Sequence, residues 1–264
     1  MKSPSSGWDR SYRNLDARGH YLDAFFADLK RDAYLSLIKR WGGVPVNGRV
    51  LKTDLFEEAR GPDAFLLELG KSPSLLIGMD LSSEGVTRAK DNDEQQRARY
   101  ILSDARHLPF RDGSLDLVLS PSTLDHFADA ADLGRSLREI RRVLTPRGRL
   151  IITLDNRQNV SDPLLRLASR LGMVPFFLGR SYTVKELRRE LEAAGFDVAE
   201  TTALVHHPRL TAVAASSITR RVHWAPAIRW VRSVFLSMQR MQDSRAQYFS
   251  GCFVAALAKP RVTS

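Results

Sequence analysis

The sequence predicts an α/β fold, a mostly parallel sheet with helices on both faces. Three observations predict it. Short apolar strands alternate with helical stretches through the middle of the chain. Acidic residues stand at or near the ends of the first three strands. The 264 residues, with 43% hydrophobic side chains, suit one large core-forming α/β domain and exclude a disordered chain.

The elements follow in order. Residues 1–48 read as an N-terminal arm and helix. Met1–Gly19 is polar, with Ser, Pro and Gly. From His20 to Trp41 the apolar residues Leu22, Phe25, Phe26, Leu29, Ala33, Leu37 and Trp41 fall close to helical spacing, and Gly42-Gly43 stops the helix. Residues 49–264 read as the main domain. Its strands are expected at Arg49–Phe56, Leu75–Asp80, Arg99–Ser103, Leu115–Ser120 and Arg149–Leu154. Helices are expected at Asp63–Leu69, Glu84–Arg97 and Ala131–Val143. Thr183–Ala194 is a further helix, with Thr183 and Glu186 spaced as a capping box and Gly195 as its stop. Phe196–Val205 and Tyr248–Ala258 are the last strands. Between them, residues 206–247 form a basic helical insertion.

The formal net charge is +10, which favours anionic partners, although an arginine-rich coding bias produces the same balance. One cysteine, Cys252, cannot form an internal disulfide, so a reducing cytoplasm is the expected compartment. Met1–His20 has no apolar core of a secretory signal, and no apolar run reaches the ~18–20 residues of a membrane span. The protein is therefore expected to be cytoplasmic, or peripheral at the inner membrane face. His206-His207 has no acidic or cysteine partner nearby in sequence, and no metal site is expected there.

In an open α/β sheet, ligands bind outside the carboxyl ends of the strands. Asp54 lies near the end of the first strand, Asp80 ends the second and Asp104 follows the third. Leu76-Ile77-Gly78-Met79-Asp80-Leu81-Ser82 is similar to the second motif of class I S-adenosylmethionine (SAM)-dependent methyltransferases. The stretch from Ser103 to Ser120 resembles the third and fourth motifs of their UbiE/type-11 branch. Glu139–Leu150 resembles the helix–turn–fifth strand of that branch, with Pro146-Arg147-Gly148 where Pro-Gly-Gly is usual. The resemblance runs from about Leu75 to Asn156 and resumes more weakly at Tyr182–Val198 and in the final strand. It implies a Rossmann-like seven-stranded sheet and SAM as cofactor. It further implies that Asp80, followed by Leu81, takes both ribose hydroxyls, as two acceptor oxygens suit a vicinal diol. By the same resemblance Asp104 accepts from the adenine amine, Ala105 lies near the adenine ring, and Ser120 stands beside the methyl-transfer site.

One departure is plain. The glycine-rich loop after the first strand is missing. The chain reads Val50-Leu51-Lys52-Thr53-Asp54-Leu55-Phe56-Glu57-Glu58-Ala59-Arg60-Gly61-Pro62-Asp63, and only Gly61 remains. Either this is a variant loop in which Asp54, Glu57 or Glu58 binds the ammonium of SAM, or the cofactor site has decayed and the fold only binds or scaffolds.

SAM is an activated electrophile, so orienting the acceptor is the protein's main task. A base is needed only for a protonated acceptor, and His126 in Leu124-Asp125-His126-Phe127 is the candidate, against packing on the cofactor or capping a helix. Asp155 and Asn156, at the end of the fifth strand, are candidate substrate-binding residues; a simple turn is the alternative. In the insertion seven arginines oppose one aspartate, with Trp224, Trp230 and Phe235 interleaved. This suits a lid, or a peripheral membrane contact through residues 220–245. Nucleic acid is a weaker partner because no RNA-binding appendage is recognisable. The expected activity is methyl transfer to a small, apolar or lipid-linked acceptor. A non-catalytic binding subunit and an RNA methyltransferase are the alternatives.

Overall fold

The computed structural model describes residues 22–70, 73–174, 178–219, 225–244 and 246–261. Helix α1 (Ala24–Arg40) starts at Asp23, whose side chain accepts from the Phe26 amide. Such a cap satisfies one of the backbone donors that every helix start leaves open. Phe26, Tyr34, Leu37 and Ile38 form its buried face. The arm expected before it lies outside the described residues.

The sheet is then built from β1 (Arg49–Lys52), β2 (Leu75–Asp80), β3 (Arg99–Leu102), β4 (Leu115–Pro121), β5 (Leu144–Asp155), β6 (Phe196–Leu204) and β7 (Phe253–Pro260). Their order is β3-β2-β1-β4-β5-β7-β6. The first five run parallel, and β7 is antiparallel to both β5 and β6. The central strands are almost wholly buried because helices cover both faces. Two hydrophobic clusters result. One holds Tyr34 and Leu37 of α1 and Trp41 just past its end with Val50, Leu117 and Ile151. The other holds Leu51, Val118 and Leu150 with Leu133, Leu137, Ile140, Leu187 and Leu191 from two helices.

Around the sheet lie α2 (Phe56–Arg60), α3 (Ser83–Asn92), α4 (Ala131–Val143), α5 (Asp162–Arg170), α6 (Val184–Ala193), α7 (Arg209–Thr219), α8 (Ala225–Gln239) and the short α9 (Gln247–Ser250). Ser82 caps α3 by accepting from the Gly85 amide. Thr183 and Glu186 make the reciprocal capping box that their spacing predicts.

Several boundaries differ from the sequence reading. The first strand stops at Lys52 rather than Phe56, and Phe56–Arg60 is helical. The helix expected at Asp63–Leu69 shrinks to one 3-10 turn, Leu67–Leu69. The helix after β2 ends at Asn92, five residues before Arg97, where the Asp93 amide bonds back to the Lys90 carbonyl. The last strand starts at Phe253, because Gln247–Ser250 turns as a helix first.

The insertion does not stand away from the domain. Phe235 of α8 and Ala212 of α7 are buried against Leu22, Phe26 and Ala27 of the N-terminal helix region. The Phe26 and Phe235 rings meet edge-on with centroids 4.6 Å apart. Residues 220–224 and Arg245 of the expected membrane contact lie outside the described residues.

Candidate active site

The carboxyl ends of β1 to β5 bring the sequence-predicted residues to one rim. At β1 the key side chain is Lys52, which is fully buried. A buried ammonium must be paired. Its Nζ donates to Glu58 Oε2 at 2.6 Å, Glu57 Oε2 at 3.0 Å and the Asp54 carbonyl at 2.7 Å. It also lies 4.8 Å from the centre of the Phe65 ring. Burial opposes its charge, but Glu57 and Glu58 more than compensate and raise its pKa. Glu58 Oε1 accepts the Phe65 and Leu66 amides. Glu57 Oε1 accepts Lys30 of α1 at 2.9 Å, and Lys30 also reaches Asp63 at 2.8 Å. Burial pushes Glu57 up, and Lys30 and Lys52 outweigh it and hold it below the ordinary value.

Glu57 and Glu58 therefore fasten the loop to α1 and to the strand. The loop carboxylate left at the rim is Asp54, half-buried, with Oδ1 accepting the Phe56 amide at 2.7 Å. Burial first, then the charges of Glu57 and Asp80, push it well above the usual carboxylate range. Gly61 ends α2 at φ 113°, a conformation for which glycine is suited. The loop is also wedged from the β2 side. A Cβ on Gly78 would come within 2.5 Å of Leu55 Cδ2, so that glycine makes room for Leu55.

Asp80 is 8% exposed at the end of β2. Its Oδ2 accepts the Leu55 amide at 3.1 Å and its Oδ1 the Ser82 amide at 2.7 Å. It thus ties the variant loop to the second strand, with Leu81 next to it. Asp104 is clamped by Arg106: Oδ1 accepts the Arg106 amide, and the guanidinium reaches both oxygens at 2.6–3.0 Å. Burial raises Asp104, but the Arg106 bonds prevail and lower it. Arg106 also bonds Asp132 and sits 5.5 Å from the Phe127 ring centre. Ala105 is buried beside Leu108 in the second hydrophobic cluster.

Ser120, at the end of β4, accepts from Thr53 Oγ1 at 3.1 Å. His126 is half-buried in the 3-10 turn that follows, Leu124–His126. Asp125 beside it is fully buried, and sequence reasoning passed it over. Its Oδ2 accepts Ser122 Oγ and the Asp155 amide, whereas Oδ1 has no hydrogen-bond partner among the described residues. Burial pushes its carboxyl up to about 6, with Asp155 adding to the rise.

Asp155 pairs with Arg209 of α7, whose guanidinium lies 4.3 Å from the Phe253 ring centre. Asn156 is used structurally. Its Nδ2 donates to the Tyr248 and Gly251 carbonyls at 2.6 and 2.8 Å, and its Oδ1 accepts the Gln158 amide. Its amide latches the β5 exit to the connection before β7. Tyr34 of α1 bonds Thr153 Oγ1 at 3.1 Å and stacks on Phe65 at 5.4 Å. Tyr34 and Arg209 were also missed, because both come to the rim from helices distant in sequence. The helical periodicity of His20–Trp41 was the available signal for Tyr34, and the position of Arg209 just after His206-His207-Pro208 gave none.

The donor chemistry suits SAM: carboxylates stand at the ends of β1, β2 and β3 on one edge, as a diol, an amine and an ammonium require. The comparisons agree. A methyltransferase domain model matches residues 58–152. The malonyl-[acyl-carrier protein] O-methyltransferase of Geobacter sulfurreducens is 31% identical over 216 residues, covering 77% of each chain. The demethylmenaquinone methyltransferase of Corynebacterium kroppenstedtii is 34% identical over 94 residues, 36% of this chain and 38% of that one. The solved SAM-dependent methyltransferase of Mesorhizobium loti superposes with a TM-score of 0.57 at 16% identity, over 86% of this chain and 97% of its own. That likeness concerns the fold, and the sequence relatives carry the activity and favour an enzyme over a scaffold. The chain belongs to the SAM-dependent methyltransferases.

Proposed function

We propose that this methyltransferase acts on a small, apolar or lipid-linked acceptor held between the ends of β4 and β5, α1 and α7. The observation that carries this reading is the Asp155–Arg209 pair against the Phe253 ring, with Tyr34 and Phe65 stacked nearby. The pair cancels the charge at the end of β5 and leaves an aromatic surround. The relatives named above are a malonyl-[acyl-carrier protein] O-methyltransferase and a demethylmenaquinone methyltransferase.

In this reading Asp80 binds the ribose diol, with Leu81 beside it, and Asp104 and Ala105 hold adenine. Asp54 receives the ammonium of SAM: a carboxylate held up by neighbouring anions gains most from an incoming cation. Ser120 and Gly61 shape the passage for the sulfonium. His126 takes the acceptor proton when there is one to take, and Asp155 orients the acceptor through Arg209. The absence of an RNA-binding module among the recognisable sequence features leaves nucleic acid behind a small acceptor.

The test is S-adenosylhomocysteine release with quinol-type and acyl-thioester carboxylate acceptors, against structured RNA. Turnover with one of the first two supports the reading, and turnover with RNA alone contradicts it. With a protonated acceptor, His126→Ala should lower turnover about 10²–10⁴-fold and leave SAM affinity intact.

A further inference from the structure

Helix α5 follows the end of β5 on the rim that carries Asp155. Its inner face is ordinary, with Leu165 and Ala168 buried. Its outer face is not. Leu164 is 60% exposed, Leu167 52% and Leu171, just past the helix, 64%. Val160, just before the helix, is 77% exposed. Positions 164, 167 and 171 are spaced by three and four, so they form one stripe along the helix. Met173, past the turn at Gly172, is 71% exposed, and Phe249 is 55% exposed, its carbonyl accepting the Val160 amide at 3.0 Å. Isolated exposed leucines are normal on protein surfaces, but a contiguous row of aliphatic side chains marks an interaction face.

The charge around the stripe narrows the partner. Residues 157–180 contain four arginines, Arg157, Arg166, Arg170 and Arg180, and a single acidic residue, Asp162. Asp162 pairs with Arg166, and Arg157 pairs with Glu186 beyond the segment. Arg170 and Arg180 are exposed. An apolar stripe fringed by arginine complements a surface that is apolar inside and anionic outside. A second copy of the chain fits less well, because a twofold contact would bring the same arginines together.

We infer that the outer face of α5 is a docking surface for an anionic phospholipid bilayer, laid against it through Val160, Leu164, Leu167, Leu171 and Met173. Helix α8 also exposes Trp230 and Leu236, but it buries Phe235 against Phe26, whereas the outward leucines of α5 share one helix face. Contact through α5 would set the rim of the active site toward the lipid, and it holds whatever the acceptor proves to be.

Vesicle co-sedimentation of the full chain tests this, with phosphatidylcholine alone against phosphatidylcholine mixed with phosphatidylglycerol. Binding to the mixed vesicles is expected to exceed binding to the neutral ones and to fall as salt rises. Leu164→Ser and Leu167→Ser should each reduce the partition about tenfold, the effect of losing one leucine from a buried contact. Melting temperature should stay unchanged in both variants. Equal binding by wild type and variants, or binding to neither vesicle, overturns the inference. So does sedimentation velocity showing a wild-type dimer that both substitutions dissociate, which would make the face a contact between copies.

Discussion

Lys52 is fully buried at the end of β1, and it organises the loop that follows. Three acceptors within 3.0 Å surround its ammonium, two of them carboxylates. Removing one partner of a buried pair leaves the other charge stranded, at a cost of about 3–5 kcal/mol. Lys52→Met should therefore lower stability by that order in chemical denaturation. Lys52→Met combined with Glu58→Gln should recover part of the loss, and a double variant no more stable than the single one would disprove the coupling. Asp80 is a harder target than it looks in sequence, because it also accepts two backbone amides. Asp80→Asn keeps an acceptor and removes the charge. SAM affinity should fall about ten- to a hundredfold, as expected for a charged acceptor serving two hydroxyls, and the melting temperature should fall as well, because the Asn NH2 group faces one of the two backbone amides. Asp125 gives a pH-dependent prediction. Its unfolded pKa is about 3.9 and its folded value is about 6. The folded state thus prefers the protonated acid, and this stabilising contribution is complete below pH ~3.9 and is lost as pH rises through ~6. Asp125→Asn removes that loss. Its stability relative to wild type should improve by about 2–3 kcal/mol between pH 4 and pH 8. A difference that stays constant with pH would mean Asp125 titrates normally.

Elements were legible where the signal was local. The capping box at Thr183 and Glu186, the β2 strand and the α4 helix follow from spacing alone. The misreading fell on Thr53–Phe56, where residues that could continue a strand leave the sheet. The reason is long-range: Glu57 and Glu58 reach back to Lys52 and Lys30 only if the chain turns into a helix after Leu55. The redirection of Asn156 to the Tyr248 and Gly251 carbonyls depends on residues ninety positions away and leaves no mark in the local sequence. The same holds for the clasp between α1 and α8. There the His207 ring packs tilted on Phe26 and edge-on to Phe235, and Gln239 lies 3.2 Å from its Nδ1. Burial lowers the His207 pKa to about 4, with Arg209 adding to the fall. Because the unfolded value is ~6.5, the clasp contributes fully above that pH and weakens as pH falls toward ~4. Protection factors of the α1 and α8 amides, corrected for the slower intrinsic exchange in acid, should be lower at pH 5 than at pH 7.5. His207→Gln should remove that difference. Protection that ignores pH in the wild type would separate His207 from the clasp.

At the scale of the whole molecule, one sheet order and one rim of carboxylates carry the account. The alternation of strands and helices announced that architecture. The acidic residues at strand ends announced the rim. What the sequence left open is whether a loop of Asp54, Leu55 and Phe56 can serve where glycines usually let the backbone approach the cofactor. In the structure this loop is held on three sides, by Lys52, by Asp80 and by the Gly78 notch. A loop already held in place would lose little freedom on binding, which is the account's central claim. No helix among the described residues is long and apolar enough to cross a membrane. Isothermal titration calorimetry with SAM and S-adenosylhomocysteine tests this central claim most directly. Both ligands should bind at one site per chain in the micromolar range, about −8 kcal/mol, and Asp54→Asn should weaken SAM and S-adenosylhomocysteine alike. No heat and no thermal shift with millimolar ligand would contradict it.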